Sequence, residues 1–232
     1  MNVAVLIMTD GRDELLDRTL QSAQGHLGGQ VTRWFIHDDT GDGDHREDLR
    51  RRYPQAEVIS ASHHRAGFGG SIHRAWRWIS LFSEADYVFH LEDDFILNRR
   101  VNLRAMARVL AACPHLAQLA LRRQAWNADE VAAGGIVEQH PDDYVDAGDH
   151  DGNRWLEHRR FFTTNPCLYR RQLCTADWPT GAESEGRFGL GLLRGGLPWG
   201  VPGDRVRFGF WGARDSGEWV EHIGHQRAGT GY

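Results

Sequence analysis

The sequence predicts an α/β fold: a mainly parallel β-sheet with helices on both faces, and a mixed second half. Three observations predict it. Apolar strands alternate with helical stripes four times within about the first ninety residues, which is the spacing of βαβ units. The first strand, residues 3–8, is continuously apolar, as expected for a strand covered on both faces. Polar residues then gather where strands end: Asp10, Asp38 with Asp39, Arg65, and Glu92 to Asp94. Ligands of open α/β sheets bind at that carboxyl edge.

Element by element, Thr9-Asp10-Gly11-Arg12 turns the chain after the first strand. Leu15, Leu16, Leu20 and Ala23 then fall at helical spacing, and the glycines of 25–29 end that helix. A second strand over 31–37 runs into Asp38-Asp39-Thr40-Gly41-Asp42, and a basic helix follows around 46–53. Residues 57–60 read as a third strand and 63–70 as a glycine-bearing loop. Ile72, Ala75, Trp76, Ile79 and Phe82 form one helical stripe, and the strand over 87–91 delivers the acids. Leu103, Met106, Ala107 and Leu110 mark another helix, and 116–121 another strand. Residues 124–158 lose periodicity and read as an irregular segment with a short strand at 136–137. Segments of that kind are often lids or binding surfaces. Residues 161–169 return to strand composition, 180–197 hold a glycine-rich stretch and a short helix, and 206–211 and 218–223 read as the last strands.

Composition narrows the function classes. The length, 232 residues, suits one α/β domain with a real core. We read 1–112 as a ligand-binding half and 113–232 as a second half with a C-terminal tail. No apolar run approaches membrane-spanning length and no leader is read before the first strand, so a cytoplasmic protein with no membrane partner is expected. Cys113, Cys167 and Cys174 lack metal-ligand spacing and read as reduced packing residues. All 27 basic residues are arginine, whose fork suits phosphates and carboxylates. The net charge of −5 provides no global attraction for nucleic acid.

The chemistry concentrates at 86–97, Asp-Tyr-Val-Phe-His-Leu-Glu-Asp-Asp-Phe-Ile-Leu. Three adjacent carboxylates repel one another unless something offsets the charge. Mg²⁺ or Mn²⁺, held by one or two carboxylates and sharing its other sites with water and phosphates, does so. The segment resembles the acidic metal motif of the GT-A glycosyltransferases, most like family 2. The likeness is best over residues 1 to about 112. It implies a GT-A fold, a nucleotide-sugar donor (a UDP-sugar is favoured) and sugar transfer to an acceptor hydroxyl with inversion.

On the family pattern Asp94 is the main metal ligand with Glu92 beside it, and Asp93 faces the donor. Thr9, Asp10 and Arg12 line the nucleotide pocket, and Asp38 or Asp39 accepts bonds from ribose or base. Arg65 and Gly69, in the stretch His64 to Ser71, approach the diphosphate. That stretch is neither a dinucleotide fingerprint nor a Walker loop. An inverting path needs a carboxylate base for the attacking hydroxyl. Glu183 or Glu185 fits the family position, with Asp177, Asp142, Asp143 and Asp146 as competitors. A late histidine, His222 or His225, is a third metal ligand in several members, and imidazole favours Mn²⁺ over Mg²⁺.

The acceptor stays open among a protein, a glycan, a small molecule and modified DNA. Paired arginines with aromatics suit a glycosyltransferase acting on a hydroxymethylated DNA base. A sugar-phosphate nucleotidyltransferase is a further reading, although the Thr9–Arg12 turn is short for its loop. A non-catalytic GT-A binding module is another, and the intact acid triplet speaks against it.

Overall fold

A computed structural model describes residues 1–224. The first half alternates as the periodicity predicts. Strand β1 (Val3–Thr9) leads to helix α1 (Asp13–Leu27), β2 (Arg33–Asp38), α2 (Gly43–Arg52), β3 (Ala56–Val58), α3 (Gly67–Phe82) and β4 (Tyr87–Glu92). Then come β5 (Phe95–Leu97), α4 (Leu103–Ala112), β6 (Leu116–Ala120), α5 (Ala128–Ala133) and α6 (Ile136–Gln139). The chain continues through β7 (Val145–His150), β8 (Asn153–His158), β9 (Cys167–Arg170), α7 (Ser184–Gly195), β10 (Arg207–Trp211) and β11 (Val220–His222).

Local chemistry sets several boundaries. Asp42 caps α2 by accepting from the Asp44 amide at 2.8 Å, and Asn102 caps α4 by accepting from the Ala105 amide at 3.0 Å. Asn127 caps α5, which stops at Gly134 with a φ of +94°.

Among the described residues the main sheet has nine strands in the order β3-β2-β1-β4-β9-β6-β10-β8-β7. Strands β3, β2, β1 and β4 are parallel, as the βαβ reading requires. β9 then inserts antiparallel between β4 and β6, and β8 pairs antiparallel with β10. The sheet is therefore mixed in its second half, as expected. Two cores cover its faces. Leu16, Leu20, Met106 and Leu110 of α1 and α4 pack on one face. On the other, Trp76 of α3 sits among Trp178, Phe162 and Phe188, with ring centroids 5.0 to 6.3 Å away.

Five expectations need correction. Residues 136–137 belong to the helical turn α6, since an apolar pair carries no period that separates strand from helix. The irregular segment contains the β7–β8 hairpin; β7 is an edge strand largely open to water, so it shows no apolar alternation. In the 161–169 stretch strand begins only at Cys167 and runs on to Arg170, and the loop expected at 63–70 already becomes helix at Gly67. Finally, β11 stays out of the main sheet and pairs with β5 as a separate two-stranded sheet. That small sheet hangs from the carboxyl edge of β4 and matters for the site.

Candidate active site

The topology brings distant residues to one edge. The antiparallel pairing of β9 with β4 matches His90 to Cys167, so the loop before β9 arrives at the carboxyl end of β4. Thr164 thereby meets the acids. The β11–β5 pairing matches His222 to Phe95, next to Asp94, and the Ile223 amide donates to the Asp94 carbonyl at 2.8 Å. A cleft of about 550 Å³ results, a size that suits a small-molecule ligand. Asp10, Arg12, Glu92, Asp94, Glu185 and His222 share its wall.

The acid triplet divides into three environments. Asp93 is fully buried below the floor, accepting from the Thr9 hydroxyl at 2.7 Å and from the Arg12 guanidinium. Burial pushes its carboxyl up to about 7, against the pull of Arg12 and Thr9. Asp94 is exposed to the cleft by only a few per cent, and its Oδ2 accepts from Arg12 Nη1 at 2.6 Å. The same oxygen lies 3.2 Å from His222 Nε2. Burial alone would raise the Asp94 carboxyl, but the His222 bond and the Arg12 charge outweigh it and hold it below the usual range. Asp94 Oδ1 is buried with no hydrogen-bond partner among the described residues. Glu92 is pushed well above the usual range, first by burial and then by the Asp94 charge.

Arg12 therefore supplies countercharge that the sequence reading assigned wholly to a metal. Its fork spans Asp93 and Asp94, and its Nε donates to Asp10 at 3.1 Å. Burial lowers its pKa, yet the two aspartates more than reverse that, so it stays charged.

The remaining expected residues occupy two regions. Glu185 is held at the cleft by Thr164, whose hydroxyl donates to Oε1 at 2.9 Å and whose amide donates to the same oxygen. Burial raises the Glu185 carboxyl, opposed by those bonds. Glu183 sits at the rim as the first residue before α7, with a φ of +53° and no capping side-chain bond. That conformation costs a non-glycine residue on the order of 1 kcal/mol. Arg65 donates to the Asp10 carbonyl at 3.0 Å and stays largely exposed.

Asp38 and Asp39 work on the fold beside the cleft. Asp38 is buried and accepts from the Thr40 hydroxyl at 2.6 Å and from His45 Nδ1 at 3.1 Å. Asp39 takes the Ala66 and Gly67 amides at 2.8 Å each, satisfying the start of α3. Gly69 lets α3 approach α7: a Cβ there would come within 2.9 Å of Ser184 and the Pro179 carbonyl. Asp177 is exposed beside His73, and Asp142, Asp143 and Asp146 lie outside the cleft lining, near Arg160, Arg154 and Arg214. His225 lies outside the described residues. The sequence reading passed over Gln124, Thr164 and Asn165; Gln124 bonds chain 98 positions away, Thr164 bonds Glu185 21 positions away, and Thr164 and Asn165 line a cleft assembled from distant segments, which no local pattern announces.

No protein-family model and no curated protein matches this sequence. Solved structures do. The chain is similar to S. aureus TarS (residues 1–349) with a TM-score of 0.60 at 13% identity, covering 96% of this chain and 60% of that one. Against TarS in complex with UDP-GlcNAc the TM-score is 0.61 at 13% identity, over 99% of this chain and 60% of that one. Against the mannosyltransferase PcManGT from Pyrobaculum calidifontis, in complex with GDP-Man and Mn²⁺, it is 0.57 at 14% identity, over 89% and 56%. The chain thus spans about 60% of the TarS chain it matches. These likenesses are to GT-A glycosyltransferases, and they show a GT-A fold over nearly the whole chain.

Proposed function

We propose that this chain is a divalent-cation-dependent glycosyltransferase, moving a sugar from a nucleoside diphosphate to an acceptor hydroxyl with inversion. The observation that carries the reading is the pairing of Asp94 with His222 at the cleft floor, one carboxylate oxygen buried without a partner among the described residues. Among the described residues no three His, Cys, Asp or Glu side chains gather to hold a metal by themselves. One carboxylate and one imidazole fit a cation whose other positions go to diphosphate and water. Asp94 and His222 would hold it, and when bound it takes up the charge that develops on the leaving diphosphate.

The chain's own groups do the rest. Arg12 in the cleft wall, and Arg65 outside it across Asp10, offer fixed positive charge to phosphate oxygens. The raised carboxyl of Glu185 sits nearer neutrality than an exposed glutamate, which suits a general base for the acceptor hydroxyl. Thr164 fixes its direction. A UDP-sugar is the favoured donor, and the wall of Phe68, Trp126 and Asn165 is left for the acceptor.

A panel of nucleotide sugars, scanned by thermal shift with and without Mn²⁺, tests this. The correct donor at a hundredfold excess over Kd stabilises by about 2.7 kcal/mol, and Asp94→Ala abolishes the Mn²⁺-dependent part and turnover. A panel without any shift, together with full turnover in the variant, would refute it.

A further inference from the structure

His222 is held with more precision than a surface imidazole needs. Its amide donates to Gln124 Oε1 at 2.9 Å, and Gln124 Nε2 donates to the His222 carbonyl at 2.9 Å. One side-chain amide thus closes both hydrogen bonds that a neighbouring strand would make, as two residues do in a hydrogen-bonded β pair. The device continues real pairing: Trp219 and Val220 donate to the Arg122 carbonyl at 2.7 and 3.2 Å, and Arg123 bridges to Val220. Beyond that bridge the backbone of residue 124 is replaced by its side chain.

The consequence reaches the ring. Because the His222 backbone groups face Gln124, its match with Phe95 in β5 is a non-hydrogen-bonded pair, where side chains approach most closely. The imidazole stacks on Phe95 at 4.7 Å between centroids and 26° between planes. Trp126 closes the other contact at 4.3 Å. Trp126 is itself fixed through Glu130, which accepts from the Trp126 amide at 2.9 Å and from both terminal nitrogens of Arg123. Backbone and ring are both determined, and the outcome is Nε2 aimed at Asp94.

We infer that Gln124 is a positioning residue that sets His222 for cation binding, with Phe95 and Trp126 forming the slot for its ring. This rests on the reading of Asp94 and His222 as cation ligands. It assigns work to Gln124, an uncharged residue just after the Arg122-Arg123 pair, which belongs to no motif that would announce it. Outer groups that orient metal-binding histidines are worth about ten- to a hundredfold in metal affinity, and a two-point amide has no close substitute: Gln124→Glu keeps the acceptor but removes the donor, and Gln124→Ala removes both.

The test measures free Mn²⁺ by electron paramagnetic resonance over the intact protein with UDP present. Wild type, Gln124→Ala, Gln124→Glu, Trp126→Leu, His222→Ala and the Gln124→Ala/His222→Ala double variant are compared, each checked for folding by circular dichroism. Both Gln124 variants are expected to weaken Mn²⁺ binding at least about tenfold, with Trp126→Leu changing in the same direction. In the double variant Gln124→Ala adds nothing to the loss from His222→Ala, since it acts through that ring; a general structural defect would add in full. If His222→Ala weakens binding and a folded Gln124→Ala does not, the positioning role alone is overturned. If His222→Ala leaves Mn²⁺ affinity intact, the ligand reading and the positioning role fall together.

Discussion

Arg12 carries the most consequential electrostatic assignment in this fold, and replacing it by glutamine tests that assignment. The substitution keeps a polar side chain, two atoms shorter, and removes the charge shared by Asp93, Asp94 and Asp10. Asp93 is fully buried and Asp94 nearly so, while the Arg12 side chain is 20% exposed. Removing one partner of a buried ion pair costs about 3–5 kcal/mol. Partial exposure of the guanidinium places this case at the lower end, about 3 kcal/mol. For a chain of this length each kcal/mol lowers Tm by roughly 2–4 °C, so Arg12→Gln should melt roughly 6–12 °C below wild type. A divalent cation supplies the missing charge, so saturating Mn²⁺ should recover more stability in the variant than in wild type. Urea unfolding followed by tryptophan fluorescence, with and without Mn²⁺, reads both effects. A variant as stable as wild type would refute the claim that Arg12 neutralises the acid pair. Equal Mn²⁺ stabilisation of both proteins would refute the claim that cation and guanidinium answer the same charge.

Other outcomes follow from neighbouring groups. Burial holds His37 down to about 4 and His90 and His158 down to about 3. Each is neutral when folded and binds a proton more readily when unfolded. The stability they contribute is complete above about pH 6.5 and is lost as pH falls towards 4 and 3, on the order of 3 kcal/mol for His37 and about 5 kcal/mol for each of the other two. His158 lies among Tyr144, Phe161, Phe208 and Phe210, its Nε2 without a partner among the described residues, so His158→Phe should flatten the acid limb of a stability–pH curve; an unchanged slope would contradict this. Glu185→Gln should lower kcat by about 10²–10⁴ with donor affinity retained, whereas Glu183→Gln at the rim should change kcat little; the reverse order would move the base to Glu183. A Cβ at Gly224 would collide with the Asp94 carboxylate, so Gly224→Ala should weaken Mn²⁺ binding in titration calorimetry, and wild-type affinity would show that this backbone yields freely.

Much of the first half was legible because its signals are local. The run Val3–Thr9 is buried at every position, and Ile72, Ala75, Trp76 and Ile79 form the buried face of α3, although Phe82, read into the same stripe, is exposed. The acid triplet at the end of β4 was legible for the same reason. The second half hides its order because strands there are short, exposed or inserted out of sequence. β11 has three residues, β7 faces water, and β9 separates β4 from β6 without any local mark. Within the site, residue identity was readable but partnership was not. Nothing in Thr9-Asp10-Gly11-Arg12 says that the arginine lies across Asp93 and Asp94, 81 and 82 positions away. Asp39 stood as a candidate for the donor, and its oxygens here satisfy the first amides of α3. Gln124 gave no signal, because its partner lies 98 positions along the chain.

The most direct test of the central claim is calorimetric titration of Mn²⁺ into this protein with UDP present, repeated with Asp94→Asn. Uptake of a single ion per chain that disappears in the variant is the result this cleft predicts. Equal uptake by both proteins, or none by either, would contradict it.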